Sequence, residues 1–193
     1  MSTWGGIRTA RFLAFSTSLR ILLTPIVMGL LLIDGSSPAT ASDVAAGLFC
    51  VAAATDWIDG RLARRWGVTT TLGSFLDTTA DKLLVTGGLV ALVAVDRASP
   101  WIAVLIIGRE LVIMGLRGLI AAEGTVMSPS LLGKLKTTVQ FFAIALAILR
   151  PGGPIAGLYI DEWVMLAAAA VTLASAIDYL VRARASLSSA SNR

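Results

Sequence analysis

The stretch DWIDGRLARRWGVTTTLGSFLDTTAD, residues 56–81, sets four aspartates and three arginines between two long apolar runs. The runs on either side decide the fold. Apolar runs of about 20 residues are long enough to cross a bilayer as helices, and several follow one another along the chain. The 193 residues are 56% hydrophobic and 15% charged, with a mean hydropathy of +0.81. Soluble domains carry about a quarter charged residues. The sequence is therefore that of an all-α, polytopic membrane protein.

Six spans are expected, near 12–33, 43–65, 72–95, 100–122, 130–149 and 160–181. Turn-forming stretches separate them: DGSSPATAS, GV, DRASP, EGTVMSPS and RPGGP. No small-residue cleavage site follows a short apolar core, so the first run reads as a retained span. Residues 1–185 are expected to form one six-helix domain, with WGGIRTARFLAF as a short interfacial segment or a frayed end. The Ser-rich stretch 186–193 reads as a disordered tail.

Basic residues set the orientation. Arg8, Arg11, Arg61, Arg64, Arg65, Lys134, Lys136, Arg182, Arg184 and Arg193 flank one set of span ends. Only Arg97 and Arg150 flank the other. Both termini and the aspartate stretch are thus expected on the cytoplasmic side. The net charge of +4 fits this topology and anionic lipid, and calls for no nucleic-acid partner.

The chain has no histidine. That excludes a Ser-His-Asp triad and histidine metal ligands. Acid–base work falls to Asp, Glu, Lys, Tyr or Cys50, and any metal must be a hard ion held by oxygen. The single cysteine, Cys50, forms no internal disulfide and is expected as a buried thiol.

Asp56 and Asp59 are three apart and share a helix face; Asp77 and Asp81 are four apart, one turn along the next helix. A turn near Gly67 makes these helices antiparallel neighbours. Four carboxylates in one gap repel and are costly to desolvate. A divalent cation turns that repulsion into coordination, and an all-carboxylate set favours Mg²⁺ or Mn²⁺. Gly60, Ala63, Gly73 and Ala80 leave room for something bulky, and Arg64 adds a fixed positive charge. The set suits a phosphate-bearing substrate. A cation pathway also places carboxylates in spans, and spacing alone leaves both readings open.

The spacing D-x₂-D-G-x₂-A-R-x₈-G-x₃-D-x₃-D falls on Asp56, Asp59, Gly60, Ala63, Arg64, Gly73, Asp77 and Asp81. It resembles the complete signature of the CDP-alcohol phosphatidyltransferases. The resemblance implies a six-span membrane enzyme, commonly a homodimer, that moves a phosphatidyl group from a CDP-linked lipid to an alcohol and releases CMP. It further implies that Asp56, Asp59 and Asp77 bind metal. The resemblance likewise implies Asp81 as the base for the acceptor hydroxyl and as a further metal contact, and Gly60, Ala63, Arg64 and Gly73 as the lining of the cytidine diphosphate site.

STSLRILLTPI, FLDTTADKLLV, GRELVIMGLRGLIA and LLGKLKTTVQ look like the phosphatidylglycerophosphate synthase branch of bacteria, over about residues 14–148. That branch implies CDP-diacylglycerol and sn-glycerol 3-phosphate as substrates and the bacterial inner membrane as location. Two positions depart from it: Ala14 stands where Asn is frequent, and Thr78 where Pro is frequent. A phosphatidylinositol phosphate synthase of the same family is the nearest alternative, and a cation-coupled transporter a remote one.

An acceptor with its own phosphate needs cations. Arg109, Arg117, Lys134 and Lys136 are the candidates. Glu110 lies seven before Arg117 on the same face and is one candidate partner for it, an internal ion pair being the alternative to acceptor binding, whereas Arg109 has no such intrahelical partner and is expected to point elsewhere. The same two lysines also satisfy the positive-inside pattern. Arg20 reads either as structural or as facing lipid phosphate.

Overall fold

The computed structural model describes the backbone of residues 3–33, 40–66, 71–122 and 130–190, and the side chains of 16–33, 40–55, 75–122 and 130–184. Six helices account for nearly all of it: α1 (Thr3–Ile33), α2 (Thr40–Trp66), α3 (Thr71–Ala94), α4 (Pro100–Ala122), α5 (Leu131–Leu149) and α6 (Ile160–Ala190). The sole β-type pairing among the described residues is an isolated bridge between Ile155 and Leu158. The protein is all-helical.

The helix ends follow local chemistry. Pro100 opens α4 at the position where a missing N–H is harmless. The Ser130 hydroxyl accepts from the Gly133 N–H at 2.9 Å and caps α5. Arg150 ends α5 in the left-handed conformation, with its N–H bonded to the Leu146 carbonyl, and Pro151 bars continuation. At the other end of α1 there is no separate interfacial helix: one continuous helix starts at Thr3. At the C-terminus, α6 continues through 186–190, into the stretch expected as a tail.

Three segments, 16–33, 131–149 and 160–184, are apolar and long enough to cross a membrane, and a shorter apolar helix covers 40–55. Helices α3 and α4 are as long but carry Asp77, Asp81 and Lys82, and Arg109, Glu110 and Arg117. Their charges, not their length, set them apart.

Helix α1 packs along α2 and α3, α5 packs on α2 and α6, and α4 leans on α6 and α3. Contacts between α2 and α3 are sparse among the described residues, so α1 is the element that joins the two. Phe49, Leu84, Leu89, Leu92, Ile106 and Ile144 are fully buried where these helices meet. Alanines at Ala45, Ala52, Ala91, Ala143, Ala147 and Ala168 let backbones approach, as lipid-embedded helices require.

Outward faces are apolar: Trp101, Leu119, Leu131, Phe142 and Ile177 are exposed. Cys50 belongs to that outer surface. The expectation of a buried thiol is thus corrected: α2 is apolar on both sides at this level, and Cys50 falls on the outer one.

Arg97 helps to tie the end of the bundle away from the aspartates. Arg97, between α3 and α4, donates to Ser42 Oγ at 2.9 Å and to the Ile148 carbonyl at 2.6 Å. It thereby fixes the start of α2 against the end of α5.

Gly87 marks a close approach of α1 and α3. A Cβ there would lie 2.6 Å from Thr24 Cγ2 and 3.0 Å from Met28 Sδ. Thr24 cannot easily turn away, because its hydroxyl bonds the Arg20 carbonyl at 2.8 Å. Gly87→Val is expected to cost about 1–3 kcal/mol by overpacking. Gly47→Ala, with nothing within 4 Å of the added carbon, is the control. Thermal unfolding in detergent checks the pair: the midpoint falls for Gly87→Val and holds for Gly47→Ala.

Candidate active site

Asp77 and Asp81 sit one turn apart on α3, both partly buried. Asp77 Oδ1 accepts from Arg20 Nη2 at 2.8 Å. Arg20 comes from α1 and is wholly buried, whereas the Asp77 side chain keeps 42% of its surface. A buried guanidinium requires an anion, so Arg20 and Asp77 hold each other. Arg20 therefore faces a site carboxylate, a pairing across 57 residues.

The side chains of Asp56, Asp59, Gly60, Ala63, Arg64 and Gly73 lie outside the described residues. Their backbones are helical, the first five in the last turns of α2 and Gly73 in the first turn of α3. No group of three or more metal-ligating side chains occurs among the described residues. The donor chemistry of the four aspartates fits a hard divalent ion: Asp77 and Asp81 share one stripe of α3 and carry oxygen donors only.

Next to Asp81 begins a second charged group. Lys82 Nζ donates to Glu110 Oε2 at 2.5 Å. Lys136 Nζ donates to Glu110 Oε1. Arg109 Nη1 reaches the same oxygen at 3.1 Å, and its Nη2 donates to Ser175 Oγ at 2.9 Å. Glu110 and Lys136 are buried, with 7% and 6% exposure. One carboxylate on α4 thus gathers cations from α3, α4 and α5, and Arg109 extends the link to α6.

Of the four cations expected at an acceptor phosphate, Arg109 and Lys136 meet here. Lys134, two residues before Lys136, is exposed. Arg117 is exposed and lies over the Tyr179 ring, 5.3 Å from its centroid. Two expectations are corrected. Glu110 bonds Lys82, Arg109 and Lys136 rather than Arg117, and Arg109 does not point away from Glu110 but pairs with it. Packing of α3 against α4, and the reach of Lys136 from α5, bring better-placed cations to Glu110 than its own helix offers.

Sequence reasoning passed over Lys82 and Ser175. Lys82 had a signal: it follows Asp81 directly in an apolar helix. Ser175 had none, being one of several small residues in α6.

Arg109→Met removes a donor from both Ser175 and Glu110 in a buried setting and is expected to cost about 1–3 kcal/mol. Arg117→Met removes an exposed ring contact and is expected to cost no more than about 1 kcal/mol. Thermal midpoints of the two variants in detergent give the ranking.

A family model described as CDP-alcohol phosphatidyltransferase matches residues 14–178. The CDP-diacylglycerol–glycerol-3-phosphate 3-phosphatidyltransferase of Bacillus subtilis strain 168 is 39% identical over 144 residues, 75% of each chain. The protein of the same name in Escherichia coli strain K12 is 44% identical over 156 residues, covering 78% of this chain and 84% of the relative.

Proposed function

The chain belongs to the CDP-alcohol phosphatidyltransferase family, and from that premise we propose that it transfers the phosphatidyl group of CDP-diacylglycerol to sn-glycerol 3-phosphate, giving phosphatidylglycerophosphate and CMP. Family membership makes it an enzyme of this type and sets aside the cation-pathway reading. The observation that carries the choice of substrates is the pair of relatives named for this reaction, each aligned with three quarters or more of the chain. The cations gathered at Glu110, one residue from Asp81 through Lys82, support an acceptor that bears phosphate.

In this reading Asp81 takes the proton of the acceptor hydroxyl. The hydroxyl oxygen forms a bond to the phosphatidyl phosphorus, and the bond from that phosphorus to the CMP oxygen breaks. Asp56, Asp59, Asp77 and Asp81 hold Mg²⁺ or Mn²⁺. The metal, when bound, neutralises pyrophosphate charge and the charge on departing CMP. Gly60, Ala63 and Gly73 leave space for the nucleotide, and Arg64 offers its phosphates a cation. Arg20 keeps Asp77 oriented from the neighbouring helix.

All six helices cross the membrane in this proposal, with both termini and the aspartates on the cytoplasmic side of a bacterial inner membrane. The chain functions as a homodimer among membrane lipids. Helices α3 and α4 can be buried despite their charges because Lys82, Arg109, Glu110 and Lys136 satisfy one another.

Purified protein given CDP-diacylglycerol, Mg²⁺ or Mn²⁺, and one acceptor at a time tests the reaction. CMP release is expected with glycerol 3-phosphate and is lost on chelation. Release with inositol phosphate alone would select the alternative acceptor. Asp81→Asn is expected to lower turnover by about 10²–10⁴-fold while CDP-diacylglycerol still binds. A variant that no longer binds the nucleotide lipid would argue against Asp81 as the base.

A further inference from the structure

Glu110 meets three cations among the described residues, and the reaction as drawn gives it no part. Its two oxygens receive Lys82 from α3, Arg109 from α4 and Lys136 from α5. One cation would neutralise a buried carboxylate, and its remaining lone pairs call for hydrogen bonds rather than for further charges. Three cations around one carboxylate leave a net charge of about +2, opposite to the near −2 of a phosphate monoester.

The donors are not exhausted. An ammonium carries three N–H groups, and each lysine spends one on Glu110. Arg109 Nε is buried and has no hydrogen-bond partner among the described residues. Arg109 is held from the other side by Ser175, so its plane is fixed while that N–H stays available. Glu110 thus orients the cations without using up their capacity. Lys82 adjoins Asp81 in the chain and keeps a fifth of its side-chain surface open.

We propose that Glu110 is a positioning residue that holds Lys82, Arg109 and Lys136 as a cradle for the acceptor's phosphate, with Lys82 as the contact that sets this phosphate beside Asp81. The proposal rests on the phosphate-bearing acceptor of the preceding section and adds two residues to it. It explains why an anion sits among cations meant for an anion. Without Glu110 the three cations repel, and each is free to take a separate rotamer. With it they converge, and the incoming phosphate meets donors already aimed.

The test separates the two substrates. CMP release by purified enzyme is followed against glycerol 3-phosphate at saturating CDP-diacylglycerol, and then the reverse. Glu110→Gln is expected to raise KM for glycerol 3-phosphate by at least about tenfold, the loss of one charge-assisted contact, and to leave KM for CDP-diacylglycerol within about twofold. Glu110→Asp restores part of the difference. Lys82→Met, at a partly open position, shifts the same KM in the same direction and covers the case in which Glu110→Gln does not fold.

A folded Glu110→Gln with an unchanged acceptor KM, or with both KM values raised alike, overturns the proposal. So does an unfolded Glu110→Gln accompanied by a Lys82→Met of unchanged acceptor KM. Wild-type activity with inositol phosphate alone overturns the choice of glycerol phosphate, and the cradle is then judged by the same comparison with that acceptor. Wild-type activity confined to alcohols without phosphate overturns both.

Discussion

A carboxylate or ammonium inside a lipid-embedded bundle must find its counter-charge inside the bundle, and the arrangement around Glu110 follows from that constraint. Arg109 and Lys136 are turned inward among packed helices, and Lys82 is mostly so. They meet Glu110, and in doing so they tie α3, α4 and α5 together at one level. Arg20 and Asp77 do the same for α1 and α3. Pairing charge across helices therefore both permits these helices to be buried and brings reactive groups from different parts of the chain together.

The rest of the bundle makes that level possible. Polar side chains are buried within an apolar core while the outer faces are apolar too, unlike a soluble domain: Arg20, Gln140 and Thr172 are buried and Trp101 and Leu131 are exposed. Alanines and Gly87 bring α1 against α3 closely enough for Arg20 to reach Asp77. Gln140 and Thr172 hydrogen-bond between α5 and α6 at 2.8 Å, and Arg97 locks the far end. Helices α2 and α3 then share α1 as a common neighbour.

Much of this was legible in the residues. Six apolar segments separated by Gly, Pro and Ser stretches gave the six helices, because a span is long and its interruptions are abrupt. The aspartate spacing gave the family, because eight positions at fixed intervals are hard to meet by chance. What stayed hidden was which side of an apolar helix faces inward. Cys50 was expected inside and lies outside, since α2 is apolar on both sides at this level. The partner of Glu110 was sought within its own helix at Arg117, yet its strongest contacts are 26 and 28 residues away, on α5 and α3. Such pairs depend on how helices lean together, which periodicity within one helix does not encode. Lys82 was in plain view beside Asp81, but its role required knowing that α4 passes next to it.

Buried ion pairs replaced as a set by apolar residues of similar size often cost nothing in stability, and sometimes improve it. The account therefore holds that the charges around Glu110 are kept for a phosphate, not for the fold. The most direct measurement is to replace them together, as Lys82→Met, Arg109→Met, Glu110→Leu and Lys136→Met in one chain, and to follow both thermal unfolding and lipid product. The predicted result is a folded protein with a midpoint near or above that of the parent and no phosphatidylglycerophosphate formed. A folded protein that still makes product with the parent's KM for glycerol 3-phosphate, or a chain that no longer folds, would contradict it.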